Sequence, residues 1–320
     1  MEIKILVREP CILYIADPTE LPEIWRSCPG EQPLQITDTG GKIQSFSAAN
    51  DGNTLLYTAS NDDGSVDIWQ SDRDGDARKK LLSCELNECR EIIFNPVKKV
   101  YALAKIGKMN ELIIMDSDLQ NLFETSAFAS DLQFSPDGTF LSFFDHDSEM
   151  LVIVDLSSYQ PQFYPSGIDL IGAWSPDGER ILFGQSEFEG GLPETTVFEI
   201  NAAKHAAAEL FQTGGNEIDI YKPQYAPGNS WLLAGVRDRS AGFSKQLWLV
   251  HRSSGEIQKI TENYLHNHSA YSWNSDYSQL VFQRVRIDVS TSQPEIWIWN
   301  AEDQEYGIIA QNASQPHWLP

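Results

Sequence analysis

The chain has 320 residues, 41% of them hydrophobic and 11% aromatic, enough to bury a large core. Its formal net charge of -23, from 23 Lys+Arg against 46 Asp+Glu, argues against nucleic acid or an anionic membrane surface as a general partner, because both are bound by basic surface. No stretch approaches the roughly 18 apolar residues of a spanning helix, so no membrane insertion is expected.

Taken in order, the chain opens with Met1-Glu2-Ile3-Lys4-Ile5-Leu6-Val7-Arg8-Glu9, which has acids where a secretory signal has none. The expected location is therefore the cytoplasm, or the periplasm or extracellular space if an export signal has been removed. Strands are predicted at 11–17, 23–27 and 33–37, then near 43–47, 54–60, 66–71 and 78–83. A third group follows with Arg90-Glu91-Ile92-Ile93-Phe94, Val100-Tyr101-Ala102-Leu103-Ala104, Glu111-Leu112-Ile113-Ile114-Met115 and a weak strand near Leu122. The fourth group, with Leu132-Gln133-Phe134, Phe140-Leu141-Ser142-Phe143-Phe144 and Leu151-Val152-Ile153-Val154, is the most regular.

What punctuates these groups is one turn. In Trp174-Ser175-Pro176-Asp177-Gly178 an aromatic ends a strand, Pro presets φ, Asp bonds its own backbone and Gly is free to take φ > 0. The turn returns as Phe134-Ser135-Pro136-Asp137-Gly138 and Tyr225-Ala226-Pro227-Gly228-Asn229. Looser copies are Trp273-Asn274-Ser275-Asp276, Phe94-Asn95-Pro96 and Phe46-Ser47, and Trp318-Leu319-Pro320 is a truncated one. Repeats of roughly 40 to 50 residues with several short strands each mark β-propeller blades.

The predicted fold is thus all-β, a seven-bladed β-propeller of four-stranded antiparallel blades at 43–83, 90–126, 130–165, 168–213, 221–261 and 270–311, with 314–320 completing the first blade at 11–37. The C-terminal strand would join the N-terminal three, leaving no open edge. A single domain over 1–320 is expected, since a repeat array grows without a second core, and it is expected to be monomeric.

The third strands carry Ile24-Trp25, Ile68-Trp69, Leu247-Trp248 and Ile296-Trp297. Together with the turns, these make the chain resemble the TolB-like, or PD40, branch of the WD40-type β-propellers. That resemblance covers nearly all of the chain and implies the fold; the family spans scaffolds, propellers beside hydrolases and a few lyases. The copies at 94–99 and 273–277 lack the Gly, and that at 46–52 lacks the Pro.

Cys11, Cys28, Cys84 and Cys89 show no Cys-x-x-Cys pairing and do not fix a compartment; Cys11, in an apolar strand, reads as a small core residue. Residues 72–76 and 60–64 fail as calcium loop and Asp-box and read as turns.

Function is expected on one rim, where the connections at 186–194, 237–244 and 286–293 lie side by side. Arg237, Arg239, Lys245, Arg284 and Arg286 stand on or near it, and the segment 261–269 adds His266 and His268. Such guanidinium groups hold a carboxylate or phosphate bidentately or dock an acidic segment, unless they pair with Glu187, Glu189, Asp238 and Asp288 on the same rim. Arg237, Arg239, Arg284, Arg286, His266 and His268 are accordingly the candidate ligand-binding residues.

His266 and His268, on one strand face and with His317 nearby, are candidate metal ligands, but no spacing fixes a third; no metal and no cofactor is expected. There is no Gly-x-Ser-x-Gly, Gly-rich phosphate loop or His-Glu-x-x-His, so no catalytic residue is assigned and the chain is not read as an enzyme. The first reading is a non-catalytic scaffold that binds a protein or peptide through the loop rim and channel mouth. The alternative is a sugar-directed hydrolase or lyase at the channel mouth, using His266, His268 and the rim arginines.

Overall fold

A computed structural model describes residues 10–17, 21–85, 89–189, 192–212, 218–226 and 230–319. The N-terminal stretch read for an export signal and the Pro227-Gly228-Asn229 turn lie outside them. Among the described residues there are seven four-stranded antiparallel sheets, and no helix long and apolar enough to cross a membrane. The sheets are the predicted blades. The first has the order β28 (Ala313–Leu319), β1 (Cys11–Ala16), β2 (Glu23–Ser27), β3 (Leu34–Gln35), so the two chain ends share one blade and close the ring.

The turn chemistry behaves as its residues dictate. Gly138 and Gly178 take φ of 72° and 76°, and the N–H of each bonds the carbonyl of Ser135 or Ser175 at 2.8 Å. Each serine hydroxyl accepts a further backbone N–H, Phe140 at 2.9 Å and Arg180 at 3.0 Å. Where the seventh blade lacks the Gly, Tyr277 adopts φ 59° and the Asn274 side chain replaces the serine, accepting the Gln279 N–H at 3.0 Å. The turn survives there with a strained residue in place of a free one.

Blades pack face to face. Val100, Ala102, Leu112 and Ile114 of the third blade form one cluster with Leu132, Leu141, Phe143 and Val152 of the fourth. At about 25 cal/mol per Å² of apolar area, such interfaces are the main source of stability.

The inner strands surround a central channel. They are β4 (Ile43–Ala48), β8 (Cys89–Asn95), β12 (Ala129–Phe134), β16 (Ile171–Trp174), β20 (Ile218–Tyr225), β24 (His266–Trp273) and β28. Every one of them carries a register shift against its neighbour, a β-bulge. In four blades the residue three places before the turn aromatic takes positive φ there: Asp131 at 54°, Lys222 at 42°, Ala270 at 45° and Gln315 at 55°. Gln133 and Gln224, two places further on, each donate to the next inner strand, reaching Gly172 O and Tyr271 O at 3.1 Å. Gly172 is required by close approach: a Cβ there would lie 2.1 Å from Pro223 O.

One expectation gains a detail, since Cys11 lies in the core as read from the sequence, and one is corrected. All four cysteines are paired, Cys11 with Cys28 inside the first blade and Cys84 with Cys89 between the second and third, so Cys11 is buried as half of a disulfide. The expected connection at 186–194 is not a free loop over its described residues: strand pairing continues with Ser186 opposite Thr195, Glu187 opposite Glu194 and Glu189 opposite Leu192.

Candidate functional site

The bulges deliver polar side chains from several blades to one mouth of the channel. Lys222 Nζ, from the sixth blade, meets Asp131 Oδ1 of the fourth at 2.6 Å, an ion pair that passes over the fifth blade between them. Its backbone N–H donates to Asp169 O at 2.9 Å, and Lys245 Nζ lies 3.4 Å from Asp169 Oδ2 and 3.8 Å above the Tyr221 ring. Glu91 Oε1 accepts the Leu132 N–H at 3.1 Å. A cavity of about 260 Å³ opens beside Glu91, lined by Ser45, Ser47, Tyr57, Arg90 and Gln315 from the first three blades.

Electrostatics single out Glu91. Burial, and then the charge of Asp131, push its carboxyl up to about 7, against the lowering pull of the Leu132 N–H and Lys222. Glu91 is enclosed by protein yet only half-buried as a residue. Burial pulls the Lys222 ammonium down, but Asp131, Asp169 and Glu91 outweigh it and hold the group above the usual lysine range. A carboxyl that gives and takes a proton near pH 7, beside a fixed ion pair, is suited to general acid and base chemistry.

The residues expected from sequence are placed otherwise. Arg239 is held bidentately by Asp219, both contacts 3.0 Å, and Arg286 by Asp288 at 2.6 and 2.9 Å. Arg284 stacks 4.6 Å over Trp297 and lies 3.0 Å from His266 Nε2, forming a separate group on the seventh blade. Arg237 stacks 5.5 Å from the Tyr221 ring and so borders the channel mouth. His268 is buried, its Nδ1 3.2 Å from Lys245 O, and burial takes its pKa down to about 4. Burial, then Arg284 and Arg286, also lower His266, and the protein surrounding the solvent-accessible His317 lowers it by desolvation. His266, His268 and His317 do not assemble: among the described residues no three His, Cys, Asp or Glu form a group fit to hold a metal ion. Self-pairing thus absorbs Arg239 and Arg286, although the partner of Arg239 is Asp219 rather than an acid of its own loop.

Glu91, Asp131 and Lys222 went unnoticed in the sequence. A signal existed: counting three back from each turn aromatic gives Ile43, Glu91, Asp131, Ile171, Lys222, Ala270 and Gln315, a register in which three charges stand out among apolar strands.

No family model and no curated protein matches the chain. Solved structures do. TolB from Acinetobacter baumannii is similar with a TM-score of 0.56 at 15% identity, over 97% of this chain and 82% of that one. The chain has the TolB-like seven-bladed propeller fold. Two other structures similar to this TolB-like propeller are enzymes. One is the periplasmic gluconolactonase of Pseudomonas aeruginosa (TM-score 0.62, 12% identity, 98% and 99% of the two chains). The other is an oligogalacturonate lyase in complex with manganese (TM-score 0.54, 13% identity, 81% and 73%). The expectation that the chain is not an enzyme is overturned by these neighbours. It rested on missing linear motifs, and a propeller site draws its groups from separate blades, where no linear motif records them.

Proposed function

We propose that the TolB-like propeller is a sugar-directed hydrolase or lyase acting at the channel mouth, with Glu91 as the proton-transferring group and the Asp131–Lys222 pair as its electrostatic support. The observation that carries this reading is the convergence of Glu91, Asp131 and Lys222 from three blades, with Glu91 also lining a cavity of mixed polar and apolar surface. The gluconolactonase and the oligogalacturonate lyase, similar in fold, support it. In lactone opening, ionised Glu91 would take a proton from the attacking water and return it to the leaving alkoxide; in elimination, it would take the proton from the carbon beside the uronate carboxylate and return it to the glycosidic oxygen, whose bond to the next carbon breaks as the double bond forms. Lys222 keeps a positive charge beside either developing anion. The test is turnover of a panel of aldonolactones and oligouronates by the wild-type chain and by Glu91→Gln. Loss of turnover by two to four orders of magnitude in the variant supports the reading; equal turnover, or none by either chain, overturns it.

We also infer an oxidising compartment, because both disulfides would be reduced in most cytosols. Disulfide mapping of protein from its native host tests this, and free thiols on all four cysteines would refute it.

A second and compatible role is partner docking on the rim. It is favoured by the exposed Phe243, Leu265, Ile287 and Val289 on neighbouring connections, with Ile287 N–H bonded to Leu265 O at 3.0 Å. Binding to an array of acidic, aromatic-containing peptides that is lost in Phe243→Asp would support it; binding indifferent to that change would not.

A further inference from the structure

We infer that the cavity beside Glu91 is a subsite for one sugar-acid unit, its carboxylate held by the Arg90 guanidinium and its hydroxyls by Gln315 and the serines of β4. The inference rests on the reading above only for the role of Glu91.

The β8 bulge is what makes the site. Cys89 pairs with Lys105 and Glu91 with Ala104, so Arg90 is the extra residue between them and has no partner across the sheet. Neighbours in a regular strand point to opposite faces, but a bulge re-aims one of them. Arg90 and Glu91 therefore line the same cavity.

Arg90 is free. In a chain of net charge -23 its guanidinium makes no ion pair and no hydrogen bond among the described residues, whereas Arg239 and Arg286 are each clamped by a carboxylate. Its next-door neighbour Glu91 does not take it up. An exposed planar fork of donors on a residue that lines this cavity can take a ligand carboxylate bidentately.

The remaining lining suits hydroxyls. The Gln315 side-chain amide is exposed, pushed out by a positive φ, and makes no hydrogen bond among the described residues. Ser47 donates to Ile92 O at 2.7 Å, which leaves its oxygen lone pairs to accept from ligand hydroxyls; Ser45 lies 2.8 Å from Thr58 Oγ1 and 3.4 Å from Arg90 O and keeps one lone pair for the same use. Tyr57 and Phe46 give the same cavity an apolar wall. Its volume, about 260 Å³, lies just below the usual range of ligand pockets and suits no more than one monosaccharide unit.

The experiment is calorimetric titration of the full chain with D-gluconate, D-galacturonate, D-glucose and D-glucose 6-phosphate, with turnover measured on the same preparations. At least one acid should bind ten times more tightly than glucose, and Arg90→Gln should erase that difference while leaving glucose binding and Tm unchanged. Arg286→Gln, a rim control, should leave all affinities as they are. Acids no tighter than glucose, an unaltered preference in Arg90→Gln, or a stronger preference for the phosphate would each overturn the assignment. Acid binding on Arg90 without turnover would keep the subsite and sink the enzyme reading; turnover of a neutral lactone with no Arg90-dependent binding would do the reverse.

Discussion

The Tyr271 hydroxyl of the seventh blade donates to the Lys222 carbonyl of the sixth at 2.8 Å, sharing its proton with the Tyr221 carbonyl at 2.7 Å. It also accepts the Gly235 N–H at 2.8 Å, so one buried hydroxyl holds the bulge from which Lys222 reaches across the channel. Burial raises its pKa far above the physiological range, and it remains a donor throughout. Tyr271→Phe leaves a buried N–H and two carbonyls short of partners, a loss of about 1–3 kcal/mol measurable by urea unfolding. Because Lys222 is then less firmly held, activity should fall more than stability alone accounts for. A variant with unchanged stability would show that the hydroxyl does not hold the bulge.

The proton-transferring role gives Glu91 a pH signature. The profile of kcat/KM should show an inflection near pH 7 that vanishes in Glu91→Gln. Its neighbours should move that inflection in opposite directions: Asp131→Asn removes a charge that raises Glu91 and shifts it downward, while Lys222→Met removes one that lowers Glu91 and shifts it upward. A profile that ignores both substitutions would place the titrating group elsewhere.

Stability against pH contains two opposing contributions. Glu91 has its pKa raised, so the folded chain binds more protons than the unfolded one between about pH 4.5 and 7, and stability from this group falls as pH rises through that window. His268 is depressed to about 4, so the unfolded chain binds more protons between about 6.5 and 4, and stability from this group falls as pH drops. Each is worth at most about 3 kcal/mol, less for Glu91, which is only half-buried and so partly screened by solvent. The wild-type curve should be nearly flat from pH 7 to 4.5. Glu91→Gln should make the protein more stable at pH 7 and visibly acid-sensitive, and His268→Gln should remove the acid sensitivity. Parallel curves for all three chains would refute both assignments.

The disulfides close short loops, with separations of 17 and 5 residues. On chain entropy alone they contribute about 3 and 2 kcal/mol. Replacing Cys11 and Cys28 by serine should therefore cost more than replacing Cys84 and Cys89, as read by thermal unfolding with and without reductant. The opposite order would mean that strain or residual structure dominates.

The ring was legible in sequence because each aromatic-Ser-Pro-Asp-Gly turn fixes where two strands end and begin, and Phe134 and Trp174 do so at unmistakable spacing. Even the shared first blade followed from one strand being missing at 11–37 and one spare at 314–320. The site was less visible. Asp131 and Lys222 are 91 residues apart and meet only because the ring bends two non-adjacent blades toward each other. Their positive φ values belong to residues with a Cβ, so no glycine announces the bulge. The rim arginines drew attention because loops vary in length, yet two of them were spoken for by local carboxylates. The cysteine pairs were missed because Cys84 and Cys89 face each other across a blade boundary.

The position three places ahead of each turn aromatic has a consequence for how such a molecule diversifies. Ile43, Glu91, Asp131, Ile171, Lys222, Ala270 and Gln315 occupy it; Ile43 and Ile171 are buried in the layers between blades, and the other five stand outside them. In those five blades folding and chemistry are thereby written on separate tracks of the same repeat. A gene can rewrite the second track one codon per repeat, trying new reactivity in the middle of the ring without reopening the question of whether the ring will form.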